Sequence, residues 1–137
     1  MTYLNFYARF YTSFQKAGEA IKSILRFYPA KLYLVAILLL QIASWVQALF
    51  IRRRLSGDFL ILHYNIDFGV DLVGSPDKIF FYPLIGLVVA VVNIFLVSTF
   101  ARRKESQFIT HLFFGSAVVF GIFLSLALLA IFLINFR

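Results

Sequence analysis

Three stretches of this chain carry no charged residue over bilayer-crossing lengths: Leu32–Ile51, Ile79–Phe100 and Leu112–Asn135, of 20, 22 and 24 residues. An α-helix rises 1.5 Å per residue, so about 20 residues cover the ~30 Å of hydrocarbon in a bilayer. Helices of a water-soluble bundle keep a polar stripe, and these runs have none. The expected fold is therefore an all-α integral membrane protein with three transmembrane helices.

Composition leads to the same class. Apolar residues make up 62% of the 137 residues and charged residues only 14%, and a soluble domain this small could not bury that much apolar surface. The net charge of +7 would suit nucleic acid, but most basic residues flank the apolar runs: Arg26, Lys31, Arg52–Arg54, Lys78 and Arg102–Lys104. Cations in those places meet anionic lipid headgroups at about 1 kcal/mol each. No nucleic-acid module is visible, so the expected partners are the bilayer and other membrane subunits or a second copy. With no cysteine, disulfides and thiol chemistry are excluded.

Residues 1–28 follow a different pattern. At 100° per residue, Tyr3, Tyr7, Phe10, Phe14, Ala17, Ile21, Leu25 and Tyr28 share one side, and Asn5, Arg9, Thr12, Lys16, Glu19, Lys22, Ser23 and Arg26 the other. This predicts an amphipathic helix in the headgroup plane or against another subunit, ended by Pro29. No secretory signal is recognisable. The expected layout is one membrane domain, 1–137: interfacial helix 1–28, spans 32–51, 79–100 and 112–135, an outer connection 52–78 and an inner one 101–111. With the N-terminus inside, Arg9, Lys16, Lys22, Arg26, Lys31, Arg102, Arg103 and Lys104 lie on the inner side. Arg52, Arg53, Arg54, Lys78 and Arg137 lie outside, so the positive-inside vote favours this orientation eight to five.

The second span opens with Ser75-Pro76-Asp77, a hydroxyl cap, a first-turn proline and an acid. Pro83 falls within its first two turns, where a proline is tolerated. Between the first two spans, Phe59–Ile66 reads as a strand, Asp67-Phe68-Gly69 as a turn and Val70–Val73 as a return strand. That makes a short extramembrane connection of β-hairpin character, which would need to pack on the helix ends.

The segment from His63 to Ser75 contains His63, Tyr64, Asn65, Asp67, Asp71, Gly74 and Ser75. It resembles the signature of a bacterial membrane domain family of unknown function, which also occurs at the N-terminus of proteins related to the sporulation-delaying-toxin immunity protein. His63, Asn65, Asp71, Gly74 and Ser75 keep the family's order. Gly69 sits one position late, and Ile61 or Leu62 replaces the usual proline. The resemblance, over roughly residues 30–100, implies a bacterial inner-membrane protein with this connection outside, and it brings no catalytic residue.

Two readings of the segment stay open. His63, Asn65 and Asp71 either bond to the backbone and fix the turn, or join Asp67 in a peptide or ion site. The spacing matches no standard metal loop, so no metal or other cofactor is expected. His111, at the start of the third run, should lie across the membrane from His63, which excludes bis-histidine haem.

No ionisable residue occurs inside the runs, against expectation for a proton-coupled carrier. They hold small and polar residues at packing intervals instead: Gln41, Ser44 and Ala48; Gly86, Ala90 and Asn93; Ala117, Gly121 and Ser125. Such faces bring helices close and add interhelical hydrogen bonds. A polar pore lined by Gln41, Gln47 and Asn93 is the alternative. No hydrolase, nucleotide or zinc-protease motif occurs, and the expected role is non-catalytic: a subunit or assembly component of a membrane complex.

Overall fold

The computed structural model describes residues 11, 12, 15, 18, 19, 21–65, 67, 69–101 and 103–136, with the side chains of Tyr64, Asn65 and Asp71 left out. Helix α1 spans Tyr28–Arg54, strands β1 and β2 span Leu60–Asn65 and Gly69–Gly74, and a 3-10 turn covers Pro76–Phe80. Helix α2 spans Phe81–Phe100 and α3 spans Ser106–Phe136. Three helices are long and apolar enough to cross a membrane.

Each helix packs on the other two, and small side chains make this possible. Ser44 and Ala48 of α1 are fully buried, and Ala90 and Ala117 nearly so. A Cβ on Gly86 would stand 2.9 Å from Gln41 Oε1, and one on Gly121 3.1 Å from Leu40 Cδ1. Large apolar residues point outward: Leu39 is 61% exposed, Phe95 69% and Phe123 66%. Small residues at the closest helix contacts and large apolar ones outward is the arrangement expected where lipid, not water, is the solvent. In water, apolar faces of this extent would drive association.

The helices run past the charge-free limits. α1 keeps Arg52, Arg53 and Arg54 as its last turn, where cations oppose the negative end of the helix dipole. The connection between the first two long helices therefore starts after Arg54, at Leu55, whose N–H bonds Ile51 O at 3.1 Å. α3 begins at Ser106, six residues before the uncharged run, and Thr110 Oγ1 donates to Ser106 O at 2.7 Å. The connection between the last two helices thus shrinks to residues 101–105. Helix limits follow backbone hydrogen bonds, which a charged or polar side chain does not interrupt.

The entry to the second span also differs from the expected cap. Ser75 has extended backbone and makes no side-chain cap bond. It serves through its carbonyl, which accepts Lys78 N–H at 3.0 Å, and Pro76 leads a 3-10 turn before α2 starts. Pro83 is the third residue of α2, where a missing N–H costs no intrahelical bond.

The connection is an antiparallel hairpin pairing Leu60 with Gly74, Ile61 with Val73, His63 with Leu72 and Asn65 with Gly69, irregular around His63. Gly69 has φ +77°, a left-handed conformation that glycine adopts without steric cost. It closes the turn and belongs to β2 as its first residue.

At the opposite end of the bundle, residues 21–26 are helical and meet α1 at a bend on Phe27. Pro29 lies in the first turn of α1. Residues 1–10, 13, 14, 16, 17 and 20 of the proposed interfacial helix lie outside the described residues. The described part touches the bundle through Ile24, which is 8% exposed, and through Ser23 Oγ, which donates to Ala101 O at 3.4 Å. Ile21, Leu25, Lys22 and Arg26 stay exposed, so the docking edge lies between the apolar and basic faces.

Candidate functional site

The hairpin end of the bundle gathers four of the six acidic residues, Asp58, Asp67, Asp71 and Asp77, beside the Arg52–Arg54 triplet, and its geometry begins with Leu60. That side chain is fully buried, in one cluster with Ala48, Ile51, Ile79, Leu128 and Ile131. Burial of a leucine contributes about 1.5–3 kcal/mol, enough to seat the first strand between α1, the 3-10 turn and α3. One residue further, Asn135 takes hold of the strand backbone. Its Oδ1 accepts Ile61 N–H at 2.9 Å, and its Nδ2 donates to Ile61 O at 2.8 Å and to Ile131 O at 2.8 Å. The carboxamide thus satisfies the outer edge of β1 as a neighbouring strand would. A lone hairpin is marginal in water, and this one is pinned by a side chain 74 residues away.

Arg52 Nε donates to Asp77 Oδ1 at 2.7 Å, linking the last turn of α1 to the 3-10 turn. Both side chains are exposed, at 42% and 73%, so the pair contributes at most about 1 kcal/mol. Trp45 stacks on Phe80 with centroids 6.1 Å apart. Arg54 Cζ lies 5.9, 5.6 and 5.5 Å from the rings of Phe50, Phe132 and Phe136.

Of the residues singled out in the connection, His63 is exposed on β1, Asp67 is exposed in the turn, and Ser75 is exposed before the 3-10 turn. Gly74 is buried; a Cβ there would stand 2.8 Å from both Leu62 Cδ1 and Lys78 Cδ. The side chains of Asn65 and Asp71 lie outside the described residues. Among the described residues, no three histidines, aspartates or glutamates come together as a metal site would require.

His111 sits near the start of α3, and Asn135 of the same helix holds the hairpin, 24 residues or about 36 Å along the axis. His63 and His111 are therefore at opposite ends of the bundle. His111 Nδ1 shares a 3.0 Å hydrogen bond with Tyr33 Oη. The rings of Phe27 and Tyr33 meet it edge-on at 5.3 and 5.6 Å.

The polar residues at membrane depth tie the helices together. Gln41 Nε2 donates to Pro83 O at 2.7 Å, joining α1 to α2. Ser125 Oγ donates to Gln47 Oε1 at 2.9 Å, joining α3 to α1. Asn93 Nδ2 donates to Val89 O at 2.8 Å, and its Oδ1 lies 3.4 Å from Ser116 Oγ of α3, whose shorter contact is with Phe113 O at 2.8 Å. Ser44 Oγ turns back onto Gln41 O at 2.9 Å. The cavity between Gln41, Gly86, Ala117 and Leu124 is about 10 Å³, at the lower limit for a single water. Gln41 and Gln47 thus serve contacts between helices within one chain, and Asn93 donates to its own helix.

Sequence reasoning missed Asn135 and Arg54 as positioned groups. An asparagine closing a 24-residue apolar run was the available sign of the first. The second was announced by Phe50, four residues before Arg54 on the same helical face.

No family model, no curated protein and no solved structure matches the chain.

Proposed function

We propose that this protein is a non-catalytic component of a membrane assembly, which acts by presenting its outer helix faces to other membrane subunits or to a second copy. One observation carries the reading: the polar side chains of the spans are engaged in bonds to neighbouring helices or to their own backbone, while about four-fifths of each span's most apolar stretch stays unburied, only 22% being buried within the chain. The inward small residues are already used for packing inside the bundle, so the surface on offer is Leu, Val and Phe. Large apolar side chains of this kind bind by area and shape, and reactive groups are not part of that surface.

The setting we infer is a bacterial inner membrane with the N-terminus in the cytoplasm. The positive-inside count and the resemblance of residues 63–75 support it. Extraction in a mild detergent followed by native mass spectrometry tests the reading. A species heavier than the 15.8 kDa chain, by a second copy or a co-purifying subunit, is expected. A bare monomer under every gentle condition overturns it.

The second reading is an immunity-type or receptor-like module that captures an extended peptide on the hairpin. It is favoured by β2, whose only strand neighbour among the described residues is β1 and whose Val70, Leu72 and Val73 are exposed. An open strand edge can pair with a peptide backbone. Loss of a phenotype at normal protein abundance on replacing His63, Asn65 or Asp71 would select this reading; a mere drop in abundance would reject it.

A further inference from the structure

We propose that the hairpin end of the bundle holds one anionic phospholipid, its phosphate on Arg54 and one acyl chain in the groove between α1 and α3. The groove is open, has a volume of about 220 Å³, and is lined by Gln47, Phe50, Ile51, Leu128, Leu129 and Phe132. It rests on the chain lying in a bilayer and not on any protein partner.

Arg54 stands at the top of this groove. The rings of Phe50 and Phe132, 5.7 Å apart, form its upper wall, and Arg54 Cζ lies within 6 Å of both and of Phe136. Three rings hold the guanidinium in place, so little side-chain freedom remains to be lost when a ligand arrives. Among the described residues its N–H donors have no acceptor and its charge has no carboxylate. Arg52, by contrast, is committed to Asp77. A guanidinium matches a phosphate with two parallel hydrogen bonds.

Depth fits as well. The uncharged run of α1 ends at Ile51, so Arg54 lies where hydrocarbon gives way to headgroups. Gln47 lies seven residues below, about 10 Å along the axis, and the groove runs down from the headgroup level towards it. A phosphate at Arg54 therefore carries its chain straight into the groove, with its charge complemented at the top and its methylenes facing Leu129 and Phe132. A soluble anion would satisfy Arg54 and leave the groove unfilled. A diacyl lipid satisfies both.

The test is native mass spectrometry of the full chain in detergent micelles titrated with dioleoylphosphatidylglycerol. The wild type should retain one lipid in preference to further ones, and at least tenfold more tightly than dioleoylphosphatidylcholine. Arg54→Gln should lose that preference. Leu129→Trp, which fills the groove without changing charge, should weaken retention by a similar factor. Arg53→Gln, one residue away but outside the ring cradle, should keep it, and 10 mM inorganic phosphate should not compete. Circular dichroism of each variant checks that the helices persist. Equal retention by wild type and Arg54→Gln overturns the proposal. So does an equal loss in Arg53→Gln, which would reduce the effect to the general attraction of basic residues for anionic lipid. So does a dimer dispersed by Leu129→Trp with no lipid retained, which would give the groove to a second copy.

Discussion

Replacing Asn135 by leucine should free the hairpin from the bundle while leaving the three helices intact. The substitution keeps the branched four-atom shape of the side chain and removes two hydrogen bonds to Ile61, at 2.9 and 2.8 Å, and one to Ile131 O at 2.8 Å. Each such bond contributes about 1 kcal/mol net. The Ile131 bond is internal to α3 and does not tie the strand, so the hairpin loses about 2 kcal/mol. Ile61 is partly buried, and incomplete hydration of its freed N–H and C=O would raise the cost to about 3 kcal/mol. A loss of 2–3 kcal/mol corresponds to a ~30- to 150-fold rise in the open population. Hydrogen exchange of the protein in nanodiscs reads this directly. Amides of residues 60–74 should exchange faster by that factor, with protection of residues 32–50 and 112–130 unchanged. Asn135→Asp should open the hairpin at least as far as leucine does, because its second carboxylate oxygen would face the carbonyls of Ile61 and Ile131 where the amide donor stood. A negative charge at the C-terminal end of α3 also opposes the helix dipole. Unchanged exchange in the hairpin would refute the pinning argument. Equal acceleration in the helices would show that Asn135 supports the whole bundle.

Gly86→Ala and Gly115→Ala should move stability in opposite directions. The first places a methyl 2.9 Å from Gln41 Oε1 and 3.1 Å from Leu124 Cδ2, at a net cost of about 1–2 kcal/mol. The second meets no atom within 4 Å and should gain about 0.5–1 kcal/mol from helix propensity; thermal denaturation in detergent ranks the pair against wild type. Gly69→Ala, at φ +77°, should cost about 1–2 kcal/mol whatever the surrounding space, visible as faster hydrogen exchange confined to the hairpin. In the cysteine-free chain, Gly57→Cys should react with a membrane-impermeant maleimide on intact cells, and Lys104→Cys only after permeabilisation. The reverse pattern would invert the proposed orientation.

The three spans were legible because the cost of a charge in hydrocarbon clears whole segments of ionisable residues, and a 20-residue gap is easily seen. The ends of the helices were not legible from the same signal. Arg52–Arg54 and Ser106–His111 belong to helices because peptide hydrogen bonding continues where hydrophobicity stops. Ser75-Pro76-Asp77 was read as a local cap, yet Asp77 turns to Arg52, so a tertiary partner overrode the local preference. The small-residue faces could be read from spacing, since Ser44 and Ala48, or Gly86 and Ala90, fall on one side at 100° per residue. Their partners could not. Gln47 meets Ser125 and Asn135 meets Ile61 across more than 70 positions, and nothing near either residue in the chain marks the match.

Those cross-links also limit how the protein can move. Helix α1 carries two such links, Gln41 to α2 and Gln47 to α3, six residues apart. Turning α1 about its own axis would strain both bonds at once, in surroundings that offer no water to replace them. The natural response to thinner or thicker lipid is then a tilt of all three rods as one body, which swings the hairpin sideways over the membrane surface without changing its shape. A neighbour gripping the outer helix faces would meet the same contour in each membrane and feel only a change of angle.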